Sequence, residues 1–194
     1  LRAGFAIGDD YTEILRSNLT NAAPRRRVLA LRGMVRQGLV TPAQWVSAID
    51  DLDVDVRREA LNQVAYAASL DAAVVEAIER QLDDEDPLVV DGAIFALGEH
   101  LYAGAVERLC EIVTSHDDAR CRESAIAALG AIGDDRARRV ILAALDDKPP
   151  VRRRAIVALS NFEGPDIDAA LERASEDRDW QVRAAVNQLG RDVD

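Results

Sequence analysis

Apolar and polar positions along this chain fall into blocks that recur. In one block Val74, Val75, Ile78 and Leu82 stand at helical spacing, separated by polar and small residues. An acidic run, Asp83 to Asp86, interrupts them, and a second stripe of Val89, Ala93, Ile94 and Leu97 follows. Steps of three and four residues trace one face of an α-helix, so the block predicts two antiparallel helices. Asp71 and Asp86 are placed to cap them, and Pro87 takes a first helical position, where its missing N–H costs nothing. Gly98 reads as the end of the second helix. Thr41 and Pro42 give the same start signal before the helix that carries Trp45.

The second stripe returns as a phrase. It reads VRREALNQV from Val56, VVDGAIFALG from Val89, CRESAIAALG from Cys121, VRRRAIVALS from Val151 and QVRAAVNQLG from Gln181. Its central alanine falls at Ala60, Ala93, Ala125, Ala155 and Ala185, in steps of 33, 32, 30 and 30 residues. A period in this range marks stacked supersecondary units. The pattern predicts six helix pairs, with first helices near 10–20, 42–51, 71–82, 102–114, 134–145 and 166–176. Second helices are expected near 24–38, 54–69, 87–99, 119–132, 149–161 and 179–190. The corresponding repeats, near 9–39, 41–70, 71–100, 101–132, 134–162 and 165–191, form a single repeat domain over 1–194. No strand pattern competes. A small residue at the centre of each second helix lets the next backbone approach, and Leu at Ala125 or Ala155 would overpack the stack by about 1–3 kcal/mol.

Composition agrees with this picture. Hydrophobic residues make up 48% of the chain and aromatics 4%, so the core is built from Ala, Val, Leu and Ile. The net charge of −11 repels polyanions at long range unless positive charge gathers on one face. Lys148 is the one lysine, and arginine supplies the remaining positive charge. Cys110 and Cys121 occupy apolar helical positions and read as buried thiols. No apolar run reaches the length of a membrane span, and the opening LRAGFAIGDD is too short and acidic for a secretion signal. A cytoplasmic protein is expected.

The phrase V-R-x-x-A-[IVL]-x-x-L-G after acidic turn residues resembles the HEAT-repeat family, closest to its short bacterial, phycobilin-lyase-type form. Repeats two to six carry it. Repeat one keeps helical spacing at Val28, Leu31 and Val35 but reads as having lost the alanine register, and repeat six is one residue short after Val182 and Arg183. Both departures fit terminal capping units. The resemblance implies an all-α, right-handed α-α superhelical solenoid, with first helices outside and second helices lining a concave face that holds another macromolecule. It also implies that the arginine after the first valine bonds to turn aspartates. Arg57, Arg122, Arg152 and Arg183 fit that role, and Val90 breaks the series.

Helix spacing places a candidate row on the non-core side of the second helices: Arg58, Asn62 and Tyr66; Asp91, Phe95 and Glu99; Glu123, Ala127 and Ala131; Arg153, Val157 and Asn161; then Ala184, Asn187 and Gln188. Six helices at 8–10 Å spacing would make a trough about 50 Å long, a fit for a peptide, helix or domain. Phe95 is either an exposed anchor of such a partner or a seam residue turned into the core, and Tyr66 has the same two readings. Trp45 and Trp180 read as packing residues. Arg25, Arg26, Arg27, Arg153 and Arg154, with Arg32 and Arg36 nearby, are candidate anion-binding residues; the alternative is that arginines offset aspartates within the stack.

Three HEAT-like enzyme classes set residue requirements that this sequence can be read against. Deoxyhypusine hydroxylase needs His-Glu pairs where this chain has Arg58-Glu59 and Arg122-Glu123, and arginine does not ligate iron. The two histidines, His100 and His116, lie out of register. For an alkylpurine-glycosylase-like site, Asp91 beside Phe95 is the nearest approach to an acid–aromatic pair. Nothing beyond the repeat marks a bilin site, and no nucleotide or metal motif is present. The expectation is a non-catalytic scaffold that binds a protein partner, with no cofactor, no metal and no membrane. Nucleic-acid binding through arginine-rich helices, or a bilin-lyase-like or glycosylase-like activity, are the alternatives.

Overall fold

The computed structural model describes residues 9–189, with side chains for 11–189. Most of the opening segment weighed as a secretion signal, and Gly190, lie outside the described residues. Among the described residues twelve α-helices follow one another: α1 (Asp9–Asn18), α2 (Pro24–Gln37), α3 (Pro42–Ile49), α4 (Val54–Val64), α5 (Ala72–Arg80), α6 (Pro87–Glu99), α7 (Val106–Ser115), α8 (Ala119–Ile132), α9 (Arg138–Ala143), α10 (Pro149–Leu159), α11 (Pro165–Ala174) and α12 (Trp180–Leu189). Four single 3-10 turns extend α5, α7, α9 and their ends, and no strand occurs among the described residues. The chain groups into two compact units, the first ending at Val89 and the second beginning at Val90, inside α6.

In the first unit α1 packs on α2, α3 on α4 and α5, and α2 lies against α4. In the second, α7 backs α8, α9 and α11 back α10, α11 backs α12, and α8, α10 and α12 lie side by side. Each unit is therefore a stack of helix pairs whose second helices touch one another. The pairs begin where caps satisfy the first free N–H groups. Asp53, Asp71 and Asp118 accept from backbone N–H groups two residues on. Thr41 and Gln44 form a reciprocal capping box. Helix α4 stops at Val64, five residues before the predicted limit, because the Tyr66 and Ala67 N–H groups close tight turns on the Gln63 and Val64 carbonyls.

The central alanines Ala60, Ala93, Ala125 and Ala155 are fully buried. Ala30 is buried too, thirty residues before Ala60, so repeat one keeps the register that the sequence reading had lost. Position 26 hides that register, because an arginine stands there in place of the usual valine. Gly98 also needs correcting as a terminator. It lies within α6, and a Cβ there would sit 2.9 Å from the Ala128 Cβ. Gly130 repeats the contact, with a Cβ falling 2.7 Å from the Ala158 Cβ and 2.9 Å from its Cα. These glycines exist so that neighbouring second helices can approach. The glycines that do end helices are Gly38 and Gly133, at φ +66° and +69° after α2 and α8.

Candidate partner-binding surfaces of the second helices

A ladder of arginines runs along the turns within each unit. The Arg57 Nε donates to Asp84 at 2.8 Å, while its Nη1 donates to the Asp51 carbonyl at 2.9 Å. Arg122 reaches Asp147 through two bonds of 2.7 Å and the His116 carbonyl through a third. Arg152 does the same with Asp177 and the Asp147 carbonyl, and Arg183 donates to the Asp177 carbonyl. Arg57, Arg122 and Arg152 thus each tie their own turn to the next. Arg27 belongs to this series: it donates to Asp51 at 2.8 and 2.7 Å and to the Asn21 carbonyl. Its side chain is largely buried, so the expectation that it binds an external anion is corrected. The guanidinium pairs hold Asp147 and Asp177 below the usual carboxylate range.

One rung is replaced on both sides. Val90 stands, buried, where the arginine would be. His116 stands where Asp51, Asp84 and Asp177 stand in other turns: its Nδ1 accepts the Asp118 N–H at 3.1 Å, as those aspartates accept the N–H of Asp53, Asp86 and Asp179. A lone arginine at 90 would be a buried charge without a partner, so both residues differ together.

A second band of polar contacts lies on the second helices and consumes part of the candidate row. In the first unit Arg32 grips Glu59 at 2.7 and 2.6 Å, which holds that carboxyl below its ordinary range. Arg58 pairs with Asp86 at 2.5 Å and more loosely with Asp55. In the second unit the Ser124 hydroxyl donates to Asp91. Glu123 faces Arg153 and Arg154 at 3.6 and 3.4 Å, and the Asn161 amide donates to the Gly130 carbonyl at 3.0 Å. These side chains span successive helices, which is why spacing along one helix does not reveal the pairing.

The remaining candidates face outward. Asn62, Glu99 and Asn187 are exposed, as are Ala131, Ala184 and Gln188, while Ala127 is half-buried. Tyr66 is 73% exposed and follows the end of α4. Phe95 is 37% exposed and Val157 45%, so each is covered in part and open to solvent in part. Arg25 and Arg26 are exposed on α2. Trp45 is half-buried, in line with packing, but Trp180 is 67% exposed and its reading as a packing residue is overturned. The α12 stripe turns on Val182, which is buried, and two residues earlier the helix faces the other way. Leu29 and Leu88 are exposed as well; the signal for them was an apolar residue off the core stripe of its helix.

Between α10 and α12 lies a groove of about 360 Å³ lined by Arg153, Arg154, Val157, Trp180, Ala184 and Gln188, among others. A smaller cavity of about 190 Å³ in the first unit abuts Arg27 and Asp51, whose charges already neutralise each other. No group of three or more metal-binding side chains occurs among the described residues. Both cysteines are free thiols, and burial pushes Cys121 up to about 11, which makes it a poor nucleophile. No helix among the described residues is long and apolar enough to cross a membrane.

The sequence profile of HEAT repeats matches residues 42–130 and 106–190. No curated protein sequence matches this chain. Solved structures share its fold. A designed armadillo repeat protein in complex with the peptide (KR)4 is 17% identical, with 94% of this chain and 99% of that one covered and a TM-score of 0.68. An engineered protein is 21% identical over 96% of this chain and 99% of its own, also at 0.68. The CpcE–CpcF complex of phycocyanin lyase from Nostoc sp. is 18% identical over 90% and 74%, at 0.64. At these identities the likeness establishes an all-α repeat solenoid and nothing finer.

Proposed function

The chain belongs to the HEAT-repeat family, and we propose that it is a non-catalytic scaffold holding a protein or peptide partner along the exposed positions of its second helices. The observation that carries this reading is a division of labour on those helices. Several charged side chains of those helices are occupied by one another, as in Arg32 with Glu59 and Arg58 with Asp86. Large apolar side chains next to them, Tyr66, Phe95, Val157 and Trp180, stay substantially exposed. Exposed aromatics amid satisfied polar contacts are the usual anchors of a protein interface. A similar fold solved with a bound peptide fits the same use. A single array over 1–194 and a cytoplasmic setting complete the proposal.

Nucleic-acid binding is the second reading, favoured by the exposed Arg25 and Arg26. It is weakened because Arg27 is spent on Asp51 and because Arg153 and Arg154 share an acid. For an enzyme, Asp91 would be the acid, yet it is engaged by Ser124. The test is affinity capture with the full chain and with Phe95→Ala, followed by a salt titration against DNA. Partner loss on Phe95→Ala without unfolding supports the scaffold. DNA binding that weakens steeply with salt, with no protein captured, replaces it with the second reading.

A further inference from the structure

We propose that the groove between α10 and α12 takes an acidic linear segment of the partner, with an apolar side chain against Trp180 and Val157 and a carboxylate on Arg153 and Arg154. This rests on the scaffold reading and adds the chemistry of what one site accepts.

The size of the groove comes first. At about 360 Å³ it lies at the low end of ligand-pocket volumes, room for one or two side chains of an extended chain. Its walls divide by chemistry. Trp180 heads α12, where the capping Asp179 accepts the Gln181 N–H at 2.8 Å and the Val182 N–H at 3.4 Å. With Val182 turned inward, Trp180 stands outward on the groove that Val157 and Ala184 also line. A large aromatic with two side-chain torsions loses little freedom on contact.

The α10 side, which carries Val157, is also positive. The Nη2 atoms of Arg153 and Arg154 both approach one oxygen of Glu123, at 3.6 and 3.4 Å, and both side chains are 40% exposed. One carboxylate balances one guanidinium, so a unit of positive charge remains. Arg152, next in the chain, differs: its bonds to Asp177 and the Asp147 carbonyl are short and it is buried. Both arginines line the groove, and a guanidinium's forked N–H donors suit a carboxylate. The net charge of −11 does not decide the matter, because charges beyond about 8 Å are screened at physiological salt. Two arginines beside a carboxylate and an apolar wall do not make the row of phosphate contacts that a nucleic-acid backbone needs.

Selection of phage-displayed random peptides on the full chain tests this, followed by anisotropy of labelled winners. The variants are Arg153→Gln with Arg154→Gln, Trp180→Ala, and Arg25→Gln with Arg26→Gln as an equal charge change on α2. Circular dichroism checks that each variant remains folded. The expected winners combine Asp or Glu with a large apolar residue, lose about tenfold in affinity with the first two variants, and change little with the third. Basic or uncharged winners, winners indifferent to the groove variants, or displacement of winners from the groove by an oligonucleotide overturn the assignment. Winners of another composition that depend on Phe95 overturn the groove while leaving the scaffold standing. No winners at all overturns both.

Discussion

Arg152 and Asp177 meet in a two-pronged ion pair, with Nε to Oδ2 at 2.9 Å and Nη2 to Oδ1 at 2.7 Å, and the arginine side chain is 5% exposed. The third arm of the guanidinium holds the Asp147 carbonyl. Arg152→Ala removes all three bonds and leaves a largely buried carboxylate, at a cost of about 3 kcal/mol. Arg152→Lys keeps charge but not the fork, and is expected to fall between. Urea denaturation of the three proteins checks the order.

The replaced rung predicts a coupled pair. Val90→Arg alone buries a charge opposite His116 and lowers stability. Adding His116→Asp supplies the partner and recovers it, with a coupling of about 1–3 kcal/mol in a double-mutant cycle. Additive effects would show that positions 90 and 116 do not occupy a rung.

Gly130→Ala gains about 1 kcal/mol of helix propensity. That gain is overridden, because the added Cβ would lie 2.7 Å from the Ala158 Cβ and 2.9 Å from the backbone behind it. A net loss of about 1–2 kcal/mol is expected, read as a lower thermal midpoint. Gly38→Ala is a different case: its added Cβ meets nothing within 4 Å, and the cost arises from φ +66° alone.

Acid should loosen the ladder. Arg122 and Arg152 hold Asp147 and Asp177 below their ordinary values, and Arg120 holds Asp118 down to about 2. A carboxylate whose folded pKa is lowered stabilises the fold above its unfolded value, and this is lost as pH falls through the folded one. The thermal midpoint is therefore expected to hold from neutrality to about pH 5 and to drop below about pH 4. Asp177→Asn should flatten that drop, which a pH series of melting curves measures.

Phe95→Ala should leave the helical signal intact and the unfolding free energy within about 1 kcal/mol of the parent, since the residue is over a third exposed. Partner capture should fall by about tenfold or more if the ring is an anchor. Unfolding instead would assign Phe95 to the core.

Much of the architecture was legible because its signals are local. Apolar spacing, capping aspartates and prolines at helix starts act within a few residues, so all six pairs could be placed from them, and α6 and α8 occupy the predicted ranges. The arginine–aspartate rungs were half legible: the family resemblance implied the role for Arg57, Arg122, Arg152 and Arg183, but Arg27 lacked the flanking valine that marks the others. What escaped lies between helices. Whether Gly98 ends a helix or admits Ala128, whether Arg58 is free or tied to Asp86, and whether Trp180 packs or faces solvent all depend on how one helix is rotated against the next. That rotation is set by side chains some thirty positions apart meeting in the stack, and no window along the chain contains both partners.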